Sequence, residues 1–327
     1  MNKFLKRVGI IAGVMVVLVA LGLVVIYFRS EERLKRVYVL NGGTVVVPTD
    51  TESIEYGRHI FQFRGCEACH SAGREIDLLG ANPINSHLDA GAQDVPRMEG
   101  NVYMDDPAIG KVIASNLTSG LGGVAGGYTD QDWVNAIRHG IRADGTPLLF
   151  MPSVEFYFLS DEDLGAVIAY IKSAPAVDNE LPRSELSFTG RVVMTLVPTI
   201  TFIPAELIPH DAERPVAPQV GITPEYGEYL TLSCKVCHGL TMSGGPIPGF
   251  PSSWPEAPNL TFGDGSALPT WTEEEFMNTI RTGNTPDGRK LRGEYMPWGS
   301  YKFMYDDELK AVWVYLQSLP KLPLGNR

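Results

Sequence analysis

The feature that most constrains this 327-residue chain is that one set of residues recurs in the same order in two parts of it. Thr129, Ile137, Arg138, Gly140, Asp144 and Gly145 recur 143 positions later as Thr272, Ile280, Arg281, Gly283, Asp287 and Gly288. Asn116-Leu117-Thr118 recurs at the same offset as Asn259-Leu260-Thr261. After a two-residue insertion, Met151-Pro152 returns as Met296-Pro297, and Asp161, Leu164, Tyr170 and Pro175 return as Asp306, Leu309, Tyr315 and Pro320. Upstream, Glu55-Tyr56-Gly57 matches Glu225-Tyr226-Gly227. Two copies are too few for a solenoid, so each copy, of roughly 100–130 residues, is expected to carry its own core.

Each copy reads as mostly helical, and the fold class expected is all-α. Thr223 is a candidate N-cap with Pro224 at the first helical position, and Ser53 holds the matching place. Thr129 with Asp132, and Thr272 with Glu275, have the spacing of capping boxes. Gly140 and Gly283 stop those helices. A last helix presents Leu164, Val167, Ile168 and Ile171 in one copy and Leu309, Val312, Trp313 and Leu316 in the other, the i, i+3, i+4, i+7 stripe of a core-facing helix. Nothing alternates convincingly with period two, so no large sheet is expected.

All four cysteines fall into two copies of one motif: Cys66-Glu67-Ala68-Cys69-His70 and Cys234-Lys235-Val236-Cys237-His238. Cys-x-x-Cys-His reads as covalent attachment of a c-type haem. The spacing puts both thiols on one helical turn, where they can form thioethers to two vinyl groups, with His70 or His238 beneath the iron. A thioredoxin-like pair needs no fixed histidine after it. A four-cysteine zinc site needs the pairs together, and they lie 168 residues apart. Two disulfides leave both histidines unexplained. Two haem c groups are therefore expected, held by Cys66 and Cys69, and by Cys234 and Cys237.

Met151 and Met296 occupy matching places between two helices, 81 and 58 residues after their histidines, and are the expected sixth ligands. Histidine–methionine ligation raises the reduction potential and closes the iron to substrate, which suits electron transfer. The recurring Arg138 and Arg281 read either as a solvated helix face or as partners of haem propionates, since arginine donates bidentately to carboxylates. His59, His87, His139 and His210 do not recur and read as surface or structural, with His59 or His87 an alternative ligand to Met151. Tyr56, Tyr226, Trp133 and Phe276 read as core or cofactor-packing aromatics. No side chain is expected to perform catalysis, and no small-molecule substrate is expected.

Val8 to Phe28 is an uncharged run of 21 residues, long enough at 1.5 Å per residue to cross a hydrocarbon core of about 30 Å. Lys3, Lys6 and Arg7 precede it, which puts the N-terminus in the cytoplasm and the rest on the periplasmic side, although Arg29, Arg33, Lys35 and Arg36 follow it. A cleaved signal peptide is the alternative, but its apolar core is shorter and a small-residue cleavage site follows. The chain carries a net charge of −11 despite that basic N-terminal region, so the rest is more acidic still and nucleic acid is not an expected partner.

The two motif sets, with Asn-Leu-Thr, Arg-x-Gly and Met-Pro in the same order, resemble class I c-type cytochrome domains in tandem, above all membrane-anchored dihaem cytochromes c and the cytochrome subunits of periplasmic alcohol and gluconate dehydrogenases. Those dehydrogenase subunits usually carry three haem motifs; this chain has two. The resemblance implies a cytochrome c domain at 51–178 and a second at 220–322; the uncharged run adds an anchor (1–29) and a linker (30–50), and the stretches that depart from the repeat are an insertion (71–115) and an apolar, proline-rich linker (179–219), with a tail at 323–327. It implies single-electron transfer between a membrane or periplasmic donor and an acceptor, with redox proteins as partners. An electron-transfer subunit of a larger complex and a dihaem peroxidase are the alternatives. The segment 190–208 is too short and too rich in proline for a second span, and is expected to pack between the domains or on a membrane surface or partner.

Overall fold

The computed structural model describes residues 3–40, 43–71, 97–197, 200–213, 216–250, 253–293 and 295–327. Helix α1 (Lys3–Leu34) extends beyond the uncharged run at both ends. Its apolar side chains are exposed over nearly the whole run, and it is the one helix among the described residues long and apolar enough to cross a membrane. Its last turns carry an i, i+4 ion pair between Glu31 and Lys35 at 2.6 Å, which favours helix past Arg29.

The repeat is visible helix by helix. The first copy contains α2 (Thr51–Phe63), α3 (Cys66–His70), α4 (Asp130–His139), α5 (Ser153–Phe156) and α6 (Asp161–Ser173). After α7 (Phe188–Leu196), which lies in the connecting segment, the second copy contains α8 (Pro224–Leu230), α9 (Cys234–His238), α10 (Glu273–Thr282), α11 (Trp298–Tyr301) and α12 (Asp306–Ser318). Both capping boxes form, at Thr129–Asp132 and Thr272–Glu275, and Gly140 and Gly283 close their helices in the left-handed conformation. Thr223 caps α8 as expected. Ser53 does not cap α2: Asp50 does, its carboxylate accepting from the Ser53 amide, so Ser53 stands in the first turn.

The recurring motifs have structural reasons. Helix α2 packs on α6 and α8 on α12, and at each crossing the glycine of Glu-Tyr-Gly meets the partner's backbone. A Cβ on Gly57 would stand 1.9 Å from the Ala166 carbonyl oxygen, and one on Gly227 would stand 2.1 Å from that of Ala311. In each Asn-Leu-Thr loop the asparagine Oδ1 accepts from the threonine amide and hydroxyl. Its Nδ2 donates to the strand-like segment beyond the last helix, at Val177 O or Leu322 O, 2.8 Å in both copies. The loop thus ties down the end of its own copy. The buried residues of the two copies merge: Phe61, Trp133 and Ile168 belong to the same cluster as Tyr229, Trp313 and Leu316.

The all-α expectation needs one correction. A three-stranded antiparallel sheet of order β1-β2-β3 is present, with β1 (Asn101–Asp106) and β2 (Gly110–Ala114) from the insertion and β3 (Glu185–Leu186) from the connecting segment. Its strands are short, and the β1–β2 register shifts between Val102 and Met104, which erases the period-two pattern by which a strand is recognised. The connecting segment packs on the first copy: Leu186, Met194, Ile203 and Ala205 are buried with Ile141 and Leu149.

Alanine at either crossing glycine forces two backbones apart. Gly57→Ala and Gly227→Ala are each expected to lower stability by about 1–3 kcal/mol, the usual cost of overpacking or more. Gly126→Ala, where the nearest atom to a new Cβ is 3.9 Å away, is expected to leave stability unchanged. Chemical denaturation of the three variants checks this.

Candidate cofactor site

In each motif the two cysteines and the histidine occupy a single five-residue helix, α3 or α9. In the first copy Cys66, Cys69, His70 and Met151 line one cavity of about 610 Å³, within the range of cofactor pockets. Most of its wall is apolar, with Ile60, Phe61, Leu117, Ile137 and Val167 among the contributors. In the second copy Met296 sits in the equivalent loop. The Trp298 amide donates to Met296 O at 2.7 Å, as the Ser153 amide donates to Met151 O at 2.7 Å.

The histidines are held alike. The Nδ1–H of His70 donates to Ser115 O at 2.8 Å, and that of His238 donates to Pro258 O at 2.9 Å. These carbonyls belong to the residues preceding the recurring asparagines. Such a bond fixes ring orientation and tautomer and leaves Nε2 with a free lone pair, the arrangement of an imidazole that binds a metal. Burial holds both imidazoles below the usual histidine range, which keeps them neutral. Burial also pushes the Cys66 and Cys234 thiols up to about 12, so neither is a thiolate near neutral pH and reactive dithiol chemistry is disfavoured.

Trp133 also lines the cavity, and among the described residues its buried indole N–H has no acceptor. A flat, mostly apolar prosthetic group with anionic edges matches this inventory: paired thiols beside a preset imidazole, a thioether sulfur and an orphaned donor. The residues fit a haem c.

Arg138 and Arg281 have partners other than the anticipated propionates. Arg138, fully buried, pairs through Nη1 with Asp161 at 2.8 Å and donates from Nη2 to Leu159 O at 2.8 Å. Arg281 pairs with Asp306 at 2.6 Å and donates to Lys302 O. Each arginine thus joins the end of α4 or α10 to the start of the last helix of its copy, which accounts for its recurrence. His59 is buried against Glu308, and His139 lies 3.0 Å from His210 between ring nitrogens. His87 lies outside the described residues.

Several cavity residues escaped the sequence reading. Tyr103, on β1, closes one side and bonds the Cys69 thiol, so part of the insertion forms a wall of the site. Arg142 and Arg183 contribute cationic groups to the lining. Arg64, on the cavity wall, reaches into the other copy and donates to Leu230 O at 3.1 Å and Tyr229 O at 3.3 Å. Its charge acts on Cys66 and Cys234 alike, and that of Glu155 acts on Cys66, Cys234, Cys237 and Tyr103. Both motif helices therefore border one junction. Repeat arithmetic could have flagged Glu155, because its counterpart is the uncharged Ser300.

Comparison with known proteins agrees with this chemistry. The cytochrome c family model matches residues 226–320. The chain is 27% identical over 324 residues to the fructose dehydrogenase cytochrome subunit of Gluconobacter japonicus, covering 90% of this chain and 60% of that protein. It is 26% identical over 312 residues to the cytochrome c subunit of the quinone alcohol dehydrogenase of Gluconacetobacter polyoxogenes, covering 88% and 60%. With the gluconate 2-dehydrogenase cytochrome c subunit of Pantoea cypripedii it shares 25% identity over 300 residues, covering 81% and 59%. The chain thus spans about six-tenths of the length of the curated relatives it matches. Residues 226–320 are a cytochrome c domain, in a chain homologous to cytochrome c subunits of dehydrogenases.

Burial pushes the Glu155 carboxyl up to about 7, against the opposing pull of the Arg64 guanidinium. The folded value lies above the unfolded one, so between them the folded chain keeps a proton that the unfolded chain has released. Stability from this group is full below the unfolded pKa of about 4.3, declines as pH rises to about 7, and is level above. Thermal unfolding at about pH 5 and about pH 8 is expected to show a larger drop for the native protein than for Glu155→Gln.

Proposed function

We propose that this chain is a two-haem electron relay, with one haem c at Cys66, Cys69, His70 and Met151 and a second at Cys234, Cys237, His238 and Met296. The observation that carries this reading is the duplicated histidine geometry: in both copies a backbone carbonyl fixes Nδ1 at 2.8–2.9 Å, although only the second copy matches the family model. When bound, haem supplies a reversible one-electron iron couple. The chain's residues would do the rest. The cysteines would fix each ring covalently, the apolar wall would exclude water, and the methionine sulfur would serve as the sixth ligand and favour the reduced state. Arg64 and Glu155 border both attachment edges, which supports transfer between the two centres.

We infer that the relay serves as the electron-transfer part of a dehydrogenase-type assembly, the role printed in the names of its relatives. The acidic body offers a surface for a basic docking face. We read α1 as an uncleaved anchor that holds the haem-bearing copies at the periplasmic face of the cytoplasmic membrane. Residues directly after the uncharged run are built into the folded body, and this supports the reading. Arg33 grips Glu206 through two nitrogens at 2.9 and 2.5 Å and donates to Met194 O at 2.6 Å. Arg191 in turn pairs with Glu31 at 2.6 Å and donates to Ser30 Oγ at 3.2 Å.

Haem quantified per chain in the purified protein is expected at two, with two low-spin centres and the near-infrared sulfur-to-iron band in a spectroscopic redox titration. One haem per chain would retain the cytochrome c domain at 226–320 and overturn the relay. Met151→His is expected to abolish the sulfur band of one centre and lower that centre's potential while leaving the other in place; Met296→His is expected to do the reverse.

A further inference from the structure

Helix α7 is amphipathic, and its outer apolar side chains are not covered by the rest of the chain. Gly190 and Met194, four residues apart, face the body: a Cβ on Gly190 would meet the Ile109 carbonyl oxygen at 2.3 Å, and Met194 is buried. Phe188 and Leu196 point outward, 48% and 62% exposed, and Leu207 in the following turn is 63% exposed. The position of this apolar edge is set by the base of α1. Arg191 bonds Ser30 and Glu31 and lies over the Tyr27 ring, 5.4 Å from its centroid, while Arg33 bonds the Met194 carbonyl. Tyr27 and Phe28 end the uncharged run, and Glu31 is about 5 Å further along the helix axis. The outward face of α7 is therefore held within a turn or so of the level at which α1 leaves the hydrocarbon. Around this level Arg29, Lys35 and Arg36 are exposed, Lys35 paired with Glu31, against the single exposed carboxylate of Glu32 in the same stretch.

We propose that α7 is an interfacial membrane helix: it seats the body on the outer leaflet of the bilayer that α1 spans, with Phe188, Leu196 and Leu207 in the headgroup–acyl boundary and Arg29 and Arg36 against lipid phosphates. The inference rests on the reading of α1 as an anchor. An apolar helix edge flanked by cations is the chemistry that recognises a phospholipid surface. It also explains the basic cluster on the far side of the span, which orientation by loop charge leaves unexplained. Arg33 is consumed by Glu206 and Lys35 pairs with Glu31, so Arg29 and Arg36 are the cations that meet headgroups.

The test uses the full haem-loaded chain in bilayers of phosphatidylcholine and phosphatidylglycerol, with spin labels on single introduced cysteines: Phe188→Cys, Leu196→Cys, Val17→Cys within the span, and Val220→Cys as an exposed reference. Native visible spectra show which variants fold. The readout is collisional access to oxygen, which partitions into lipid, against a water-soluble nickel chelate. At 188 and 196 the oxygen-to-nickel ratio is expected to exceed that at 220 several-fold and to approach that at 17. High nickel access at 188 and 196, equal to that at 220, overturns the proposal while a lipid-like Val17 label preserves the anchor. Low access to both reagents at 188 and 196 means a protein cover and also overturns it. A water-like label at 17 overturns the anchor, and this inference with it.

Discussion

Two buried carboxylates, Asp163 and Glu308, hold the halves of this molecule face to face. They occupy equivalent third positions of α6 and α12, and each accepts from its own copy and from the other. Asp163 takes the hydroxyl of Tyr56 at 3.1 Å and that of Tyr229 at 2.5 Å. Glu308 takes the hydroxyl of Tyr226 at 3.5 Å and the ring N–H of His59 at 2.9 Å. Tyr56 and Tyr226 are repeat partners, and so are His59 and Tyr229, so the exchange is reciprocal about an approximate two-fold. Carboxyl groups buried this deeply are tolerable only when their oxygens are matched, and such matching fixes one register between the surfaces. The stacking of His59 on Tyr305, 3.7 Å between centroids, adds to the same seam.

That seam brings the chemistry together. With α2 and α8 locked against each other's partners, the short α3 and α9 turns that follow them border a common junction, where Arg64 crosses from one copy to backbone carbonyls of the other. Gly65 stands close to Ser300: a Cβ there would lie 3.2 Å from the serine hydroxyl. The proposed electron path thus follows from helix packing that glycines and tyrosines enforce some distance from any cofactor.

Much of this was legible in the sequence because it was written twice. The capping boxes, terminal glycines and apolar stripes are local signals, and duplication turned each into a pair. The motif cysteines, histidines and methionines could be located on the same basis, and the first set does converge on one cavity. What stayed hidden depends on surfaces that meet only after folding. Nothing near His59 in the chain announces Glu308, 249 residues away. Arg138 and Arg281 recur as structural ties, and recurrence alone does not distinguish a tie from a cofactor contact. Tyr103 lay in an insertion with no counterpart and in a strand whose register shift hides its periodicity.

The duplication is broken where the two attachment edges come together. The first copy places Glu155 there and the second places Ser300, and Arg64 likewise has an uncharged counterpart, Leu232, so the ionisable groups at the junction all come from the first copy. Perfect symmetry would leave an electron with two equal resting places and no reason to prefer either. Ionisable groups supplied by one copy alone make the two places unequal, and in the proposed relay that inequality would give traffic its direction.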